Sequence, residues 1–177
     1  MAVTEPLVGK WATLRIADES DAQFTLNIRN DPKLNRFIPA VNGTVESQVL
    51  WIQKQRARDF DCFYVIESAG GERRGTVSFY DLDPENSACE LGRYISYGNA
   101  MENVDAAVLI LDRIFDRLKL KTVVLNIDEN NSKVIKFWQR FGAELSGSVS
   151  MEGWVSDCYL LTAEGYSEHR SRIAALL

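Results

Sequence analysis

The sequence has little of several features, and each shortage excludes a class of protein. It contains one histidine and three cysteines in 177 residues. The cysteines are isolated and show no CxxC spacing, so they suggest neither a disulfide framework nor a metal site. Eleven glycines and four prolines are too few for a fibrous or disordered chain. No apolar run approaches the roughly eighteen residues of a membrane span.

An excess of positive charge is also missing. Twenty basic residues against 25 acidic ones give a formal net charge of −5, unlike the basic surface of a nucleic-acid-binding protein. The first ten residues, 1–10, lack the basic and apolar segments of a signal peptide. We therefore expect a cytoplasmic protein with neither a nucleic-acid nor a membrane partner. With 46% hydrophobic residues, it should form one domain over 1–177.

Segments with the two-residue period of strands alternate along the sequence with segments that have the 3.6-residue period of helices, which predicts an α/β domain. Strands are predicted at 11–16, 62–66, 75–80, 88–95, 122–127, 144–150 and 155–162, the last two joined by a turn at 152–154. Helices are predicted from Asp18 to near Asn30, after a Thr44 cap, at 104–118, from an Asn131 cap to Gly142, and at 163–177. The strand at 122–127 reads as buried on both faces and parallel to its neighbour. The three cysteines fall in strands and are expected to be buried and reduced.

A motif late in the chain carries a family resemblance. Residues 131–142, NSKVIKFWQRFG, place an Asn, an aliphatic pair, an aromatic residue and a Gly at characteristic offsets. With the element order, this resembles the GNAT superfamily of N-acyltransferases over nearly the whole chain. Residues 90–95 and 157–162 resemble the fourth and closing strands of its ribosomal-protein and aminosugar N-acetyltransferase branch.

The resemblance implies a fold and a reaction. The fold would be a mixed, mostly antiparallel sheet of about seven strands flanked by helices. The reaction would move an acetyl group from acetyl-CoA, a co-substrate, to a primary amine of a small molecule, an aminosugar or a protein amino terminus. A homodimer is compatible with it, and no metal is implied.

The resemblance also assigns cofactor-binding positions. In the family, the fourth and fifth strands splay apart and the pantetheine arm bonds to the backbone of the fourth, where Arg93, Tyr94 and Ile95 would lie. Asn131 would bond the same arm while capping its helix. Lys136 falls near the family's nucleotide phosphate, although an ordinary surface cation is the alternative.

Two residues are candidates for proton transfer. Glu90 occupies a position that several family members use as the general base, against the alternative of a solvent-facing strand carboxylate. The family's usual acid is a Tyr, here replaced by Trp138, whose indole cannot donate its proton. We expect Trp138 to pack in the core and Tyr159 or water to serve as acid. Trp51, Tyr80, Trp154 and the 32–43 loop are candidates for shaping the acceptor pocket, and packing is the alternative for the aromatic residues.

The phosphate-binding loop departs from the family pattern of Gln/Arg-x-x-Gly-x-Gly/Ala. An ungapped alignment puts Ala100, Asn103 and Asp105 at the basic residue and the two glycines, which brings a carboxylate toward the phosphates. A shorter loop would instead use Gly98-Asn99-Ala100, with the helix beginning near Ala100. Gly98, in the shorter loop, and Asn103, in the ungapped alignment, are candidate cofactor contacts. The alternative is that Asn103 and Asp105 simply cap the helix.

Two functions remain open on the sequence. The late motif and the element order favour an N-acetyltransferase. The degenerate loop and the Trp at the usual Tyr position favour a non-catalytic binding or assembly module.

Overall fold

The computed structural model describes residues 5–151 and 154–177. Within these residues eight strands form one sheet in the order β1-β2-β3-β4-β5-β6-β8-β7. The strands are β1 (Leu7–Val8), β2 (Ala12–Ile16), β3 (Cys62–Ser68), β4 (Arg73–Asp83), β5 (Ala88–Ser96), β6 (Thr122–Asp128), β7 (Glu144–Met151) and β8 (Trp154–Thr162). Among the described strands only β5 and β6 pair in parallel. The mixed, mostly antiparallel sheet is confirmed, and the strand beyond the expected seven is the two-residue β1, too short to show a period.

Five α-helices surround this sheet in the described part of the chain. They are α1 (Ala22–Arg29), α2 (Val45–Arg56), α3 (Ala100–Asp112), α4 (Ser132–Gln139) and α5 (Ala163–Ala174). A single 3₁₀ turn precedes α1, and a π-helical turn extends α3 to Arg117. None of these helices combines the length and apolarity needed to cross a bilayer.

The helix ends follow from local sequence. The Thr44 hydroxyl accepts a hydrogen bond from the Ser47 N–H and so begins α2, as expected for an N-cap. The chain after α4 leaves the helix through Gly142, whose φ is +98°, and a Cβ there would lie 2.8 Å from the Gly165 carbonyl oxygen. The predicted stop at Gly142 is therefore confirmed, because only glycine fits this conformation without strain.

The sheet has two differently covered faces. Helices α1 and α2 cover one face, with a small core formed by Ile52, Phe63 and Val65. The larger core on the other face joins the sheet to α3, α4 and α5. Alternate residues of β3 enter the two cores, so this central strand is buried on both sides.

Strand β6 is not buried on both faces as its apolar run suggested. Val123, Leu125 and Ile127 enter the larger core, whereas Asn126 is exposed and Val124 is half-buried. Helices α1 and α2 contact strands β3, β4 and β5, so they leave the opposite face of β6 largely uncovered. The continuous apolar run of β6 therefore predicted more burial than the structure shows.

The cysteines are free thiols on strands β3, β5 and β8. Cys89 is buried, and burial raises the pKa of its thiol to about 12. Cys62 and Cys158 are only half-buried, which corrects the expectation that all three are buried. The predicted turn at 152–154 includes Glu152 and Gly153, which lie outside the described residues.

Candidate functional site

A bulge in β5 breaks the regular sheet next to the predicted catalytic position. Thr76 of β4 pairs with Ile95 and Ser78 pairs with Gly92, so two residues of β5 oppose one residue of β4. Arg93 lies within this bulge with φ at +52°, a conformation that costs a residue with a side chain about 1 kcal/mol or more. Such strain is retained at functional sites more often than elsewhere.

The bulge coincides with the separation of two strands. Strand β6 pairs with β5 only along residues 88–90 of β5, and no pairing continues along the described residues 91–96. The edge of β5 beyond Glu90 therefore has backbone groups that no neighbouring strand satisfies. An extended chain with amide groups could bond to such an edge as an added strand does.

Glu90 lies at the point where the two strands diverge. It is the register partner of Tyr80, so both side chains project from the same face of the sheet. The Tyr80 hydroxyl donates a hydrogen bond of 2.6 Å to Glu90 Oε1. Burial and the bond to Glu90 together raise the pKa of Tyr80 well above its usual range. Tyr80 lies directly over Gly92, because a Cβ at position 92 would lie only 2.4 Å from the Tyr80 hydroxyl oxygen.

Arg93 completes a cluster with Tyr80. Its guanidinium donates to both carboxylate oxygens of Asp61, at 2.7 and 3.3 Å. It also lies 4.1 Å from the ring centroid of Tyr80 and 5.2 Å from that of Trp51, within range of a cation–π interaction. The side chain of the residue with the strained backbone is therefore held by one carboxylate and two aromatic rings.

A pocket of about 220 Å³ opens between helices α1 and α2 and this face of the sheet. It is lined by Thr25, Leu26, Arg29, Val41, Gln48, Trp51, Phe63, Thr76, Arg93 and Ile95. Val41 and Trp51 come from the region in which the sequence placed candidate pocket residues. Arg93 lines the pocket and also packs against the ring of Tyr80, which bonds to Glu90, so the candidate base is connected to the pocket wall through these two side chains.

The start of α3 decides between the two alignments of the phosphate loop. The helix begins at Ala100, and Asn99 caps it by accepting hydrogen bonds from the Met101 and Glu102 N–H groups. The helix start near Ala100 that the shorter loop predicted is confirmed, and a helix start near Asn103 is wrong. Residues 99–102 make a reciprocal capping box, a strong local signal for a helix start.

The amino end of α3 is closed by its own side chains. Glu102 Oε2 accepts a 2.8 Å hydrogen bond from the Asn99 N–H, and Glu102 is only 7% exposed. Arg74 Nε lies 3.4 Å from Glu102 Oε1, near enough for an ion pair but without hydrogen-bond alignment. Asn103 Nδ2 donates to the Gly98 carbonyl oxygen at 2.8 Å. A carboxylate of the protein thus holds the position where a helix dipole favours an anion.

Asp105 has a structural position instead of facing the loop. Its carboxylate accepts hydrogen bonds from the Trp11 N–H at 2.6 Å and the Ala12 N–H at 2.9 Å, and the residue is 3% exposed. A Cβ on Gly9 would lie 2.4 Å from Asp105 Oδ2. Asp105 therefore joins α3 to the start of β2, and the idea that it repels phosphates or caps α3 is wrong.

The remaining predicted cofactor positions are spread along the seam between α3 and α4. The Tyr94 hydroxyl donates to the Asn103 carbonyl oxygen at 2.9 Å, and its burial raises the pKa of Tyr94. Trp138 is 3% exposed and packs edge-on against Tyr94, as expected of a core residue. Asn131 caps α4 with a long 3.4 Å bond from the Val134 N–H. Lys136 is exposed.

Tyr159 lies away from Glu90. It pairs with Leu125, the residue after the Val124 that pairs with Glu90. Side chains alternate between faces along a strand, so Tyr159 projects into the larger core, on the opposite face of the sheet. It is 5% exposed, and burial raises the pKa of its hydroxyl.

The residues fit one part of acetyl-CoA better than another. The open edge of β5 suits the amide-bearing pantetheine arm. The amino end of α3 does not suit a pyrophosphate in the usual family manner, because Glu102 and Asn103 already occupy its polar groups. Gly98 is equally constrained, since a Cβ there would lie 3.2 Å from Glu102 Oε2.

Sequence reasoning missed the Tyr80–Glu90 contact and the position of Arg29 in the pocket. A signal for the first was present, because a hairpin centred near residue 85 pairs position 80 with position 90. Arg29 had no signal, since it reads as an ordinary cation in the last turn of a helix. Its place in the pocket depends on how α1 packs on the sheet.

Comparison with known proteins supplies the family. A model of the acetyltransferase (GNAT) domain matches residues 12–144. The chain belongs to the GNAT family. A search of curated proteins finds no match to the sequence.

Solved GNAT structures share the fold across nearly the whole chain. Apo FdhC, described as a nucleotide-linked sugar GNAT, has a TM-score of 0.85 at 24% identity, covering 97% of this chain and 98% of its own. A GCN5-related N-acetyltransferase from Brucella melitensis has a TM-score of 0.81 at 14% identity, covering 97% and 85%. A spermidine N-acetyltransferase SpeG mutant from Vibrio cholerae has a TM-score of 0.73 at 17% identity, covering 88% and 95%.

Proposed function

We propose that this GNAT protein is an N-acetyltransferase that uses acetyl-CoA to acetylate a primary amine of a small molecule, with Glu90 as the general base. The observation that carries the proposal is the position of Glu90. Its carboxylate lies where β5 and β6 separate and is held by Tyr80, whose ring packs against Arg93 in the wall of a pocket of about 220 Å³.

The pocket favours a small acceptor or the small reacting end of a larger one. Its volume lies below the roughly 300–1,000 Å³ of pockets that enclose drug-sized ligands. The likeness to a nucleotide-linked sugar GNAT makes aminosugars the first acceptors to test. The likeness to a spermidine N-acetyltransferase makes polyamines the second, and a protein amino terminus would enter by its first residues only.

The roles of the residues follow from the geometry. An amine attacks only as the free base, so a carboxylate within reach of the amine must accept its proton. Tyr80 fixes the Glu90 carboxylate through the 2.6 Å hydrogen bond, which limits the conformations the base can adopt. When bound, acetyl-CoA would supply the acetyl group as a thioester. The amine would form an amide as the carbon–sulfur bond breaks, and coenzyme A would leave as a thiol protonated by water, since Tyr159 lies in the core on the opposite face. The backbone edge at Tyr94 and Ile95 is where its pantetheine arm would bond, with Asn131 and Lys136 at the adjoining helix.

A second candidate function is a non-catalytic binding module. One observation favours it: the Glu102 carboxylate occupies the amino end of α3. A fixed anion about 4 Å from a phosphate costs between about 1 kcal/mol where water screens the pair and about 4 kcal/mol at an effective dielectric near 20. A chain that no longer binds acetyl-CoA would tolerate this arrangement without loss.

Calorimetry with acetyl-CoA separates the two candidates, followed by a thiol-release assay with glucosamine and spermidine as acceptors. An enzyme should bind acetyl-CoA at micromolar to millimolar concentration and release thiol faster with an accepted amine than without one. Glu90→Gln should bind acetyl-CoA normally and lose most of the turnover. No binding at millimolar acetyl-CoA would sink the enzyme proposal and leave the binding module.

A further inference from the structure

We propose that the acceptor carries an anionic group, a phosphate or a carboxylate, and that Arg29 binds it in the pocket beside Glu90. The proposal rests on the proposed function for the identity of the pocket as the acceptor site. It narrows the acceptor to amines that also carry an anionic group, which a simple polyamine lacks.

The first step of the argument is the charge of the pocket wall. Arg29 and Arg93 line the same pocket, and no aspartate or glutamate is among its lining residues. Asp61 binds the Arg93 guanidinium in a bidentate manner and so offsets its charge. The positive charge that remains in the pocket comes from Arg29.

The second step is that Arg29 lacks a counterion within residues 5–151 and 154–177. No ion pair joins it to a carboxylate of that part of the chain, and its side-chain bond there is a 3.4 Å contact from Nε to the Pro39 carbonyl oxygen. It is nevertheless half-buried. Burial lowers the pKa of its guanidinium, and the charge of Arg93 lowers that pKa further. A cation held near another cation without a carboxylate partner destabilises the folded state until an anion binds.

A purely structural role for Arg29 explains less. A cation in the last turn of α1 would complement the helix dipole, but an exposed position would do so at lower cost. The planar fork of a guanidinium also matches the oxygens of a phosphate or carboxylate in two parallel hydrogen bonds. Trp51 provides an apolar wall for the body of such an acceptor.

Calorimetry without acetyl-CoA tests the proposal with two matched pairs of probes. Glucosamine 6-phosphate is compared with glucosamine, and 4-aminobutyrate with 4-aminobutanamide. In at least one pair, the anionic member should bind the wild-type protein about tenfold or more tightly than its neutral partner. The pair that discriminates identifies phosphate or carboxylate as the group.

Variants assign that preference to Arg29. Arg29→Gln should abolish it, Arg29→Lys should retain part of it, and Arg36→Gln, a change on the nearby loop outside the pocket lining, should leave it intact. Arg29→Gln should also keep or raise the Tm, because it removes repulsion from Arg93. Equal binding within both pairs, an unchanged preference in Arg29→Gln, or a marked fall in its Tm would each overturn the proposal.

Failure of this proposal and failure of the proposed function give different results. The binding measurement contains no acetyl-CoA, so it does not depend on acetyl transfer. If the protein prefers the anionic probe but releases no thiol, the Arg29 proposal stands and the acetyltransferase proposal fails. If neutral and anionic amines support thiol release with equal efficiency, the acetyltransferase proposal stands and the Arg29 proposal fails.

Discussion

The two sides of the bulged strand β5 are built in opposite ways. On the side of α1 and α2, the Arg29 guanidinium faces a pocket without a carboxylate partner in the described chain, and Glu90 stands beside it held by Tyr80. At the amino end of α3, Glu102, Asn103 and Asn99 bond to one another and to the loop. The proposed acceptor side thus has an unpaired cation within the described chain, whereas the proposed phosphate side already contains an anion of the protein.

The difference shows that a helix end attracts an anion without regard to its source. The backbone N–H groups and the dipole of α3 favour negative charge, and a side chain from the first turn satisfies them intramolecularly. A bound phosphate would have to displace Glu102 or share the site with it at an electrostatic cost. The four predictions below test this contrast, beginning with the largest expected effect.

Glu90→Gln should lower kcat/KM for the true acceptor by about 100-fold at neutral pH, within the range that general base catalysis contributes. The loss should shrink at high pH, where more of the amine is already deprotonated. A pH–rate profile measures both effects. Glu85→Gln, in the exposed turn before β5, is the matched control, and a wild-type profile for Glu90→Gln would remove it as the base.

Asp105→Asn should lower the free energy of unfolding by about 2 kcal/mol, since a buried carboxylate loses charge-assisted bonds to two backbone N–H groups. Its acetyl-CoA affinity should stay unchanged, because the side chain faces the start of β2. Chemical denaturation and calorimetry check the two parts. Asp116→Asn, at an exposed position beyond α3, should change neither, and tighter binding by Asp105→Asn would contradict this assignment.

Glu102→Gln should tighten acetyl-CoA binding about tenfold, because it removes a unit negative charge from the helix end while keeping an acceptor for the Asn99 N–H. Stability should fall by about 1 kcal/mol as the capping box weakens. Calorimetry and thermal unfolding measure these opposite changes. Glu164→Gln makes the same change in the first turn of α5 and should leave affinity alone. Unchanged affinity in Glu102→Gln would mean that residues 96–105 are not the phosphate site.

Tyr80→Phe should lower kcat about fivefold with little change in KM, because one hydrogen bond to the base is worth about 1 kcal/mol. Steady-state kinetics measures the split. Tyr166→Phe removes a comparable bond, 2.7 Å to Asp112, and should reduce stability without affecting kcat. A larger effect on KM than on kcat would mean that Tyr80 contacts the acceptor instead of positioning Glu90.

The sequence determined the local elements and the family. Caps at Thr44, Asn131 and Gly142 and the long apolar stripe of α3 are properties of adjacent residues, so they could be read without the fold. The strand that carries Glu90 was predicted from the residue pattern, whereas the role of Glu90 as a base came from the family resemblance, and the bulge was not predicted. The start of α3 remained open because the two alignments of the phosphate loop place it near Ala100 or near Asn103, although the Asn99–Glu102 capping box is a local signal for the first.

The tertiary structure alone decided which polar groups remain available. Asp105 and Glu102 are both acids near the start of one helix and share a face of it. Glu102 lies in the first turn, where it reaches back to the Asn99 N–H, whereas Asp105 lies almost one turn further along, where the start of β2 packs. Arg29 is a candidate anion-binding residue only because the packing of α1 on the sheet brings it into the pocket that Arg93 also lines. Pairing and burial of charges depend on contacts between residues distant in the chain, which no local pattern records.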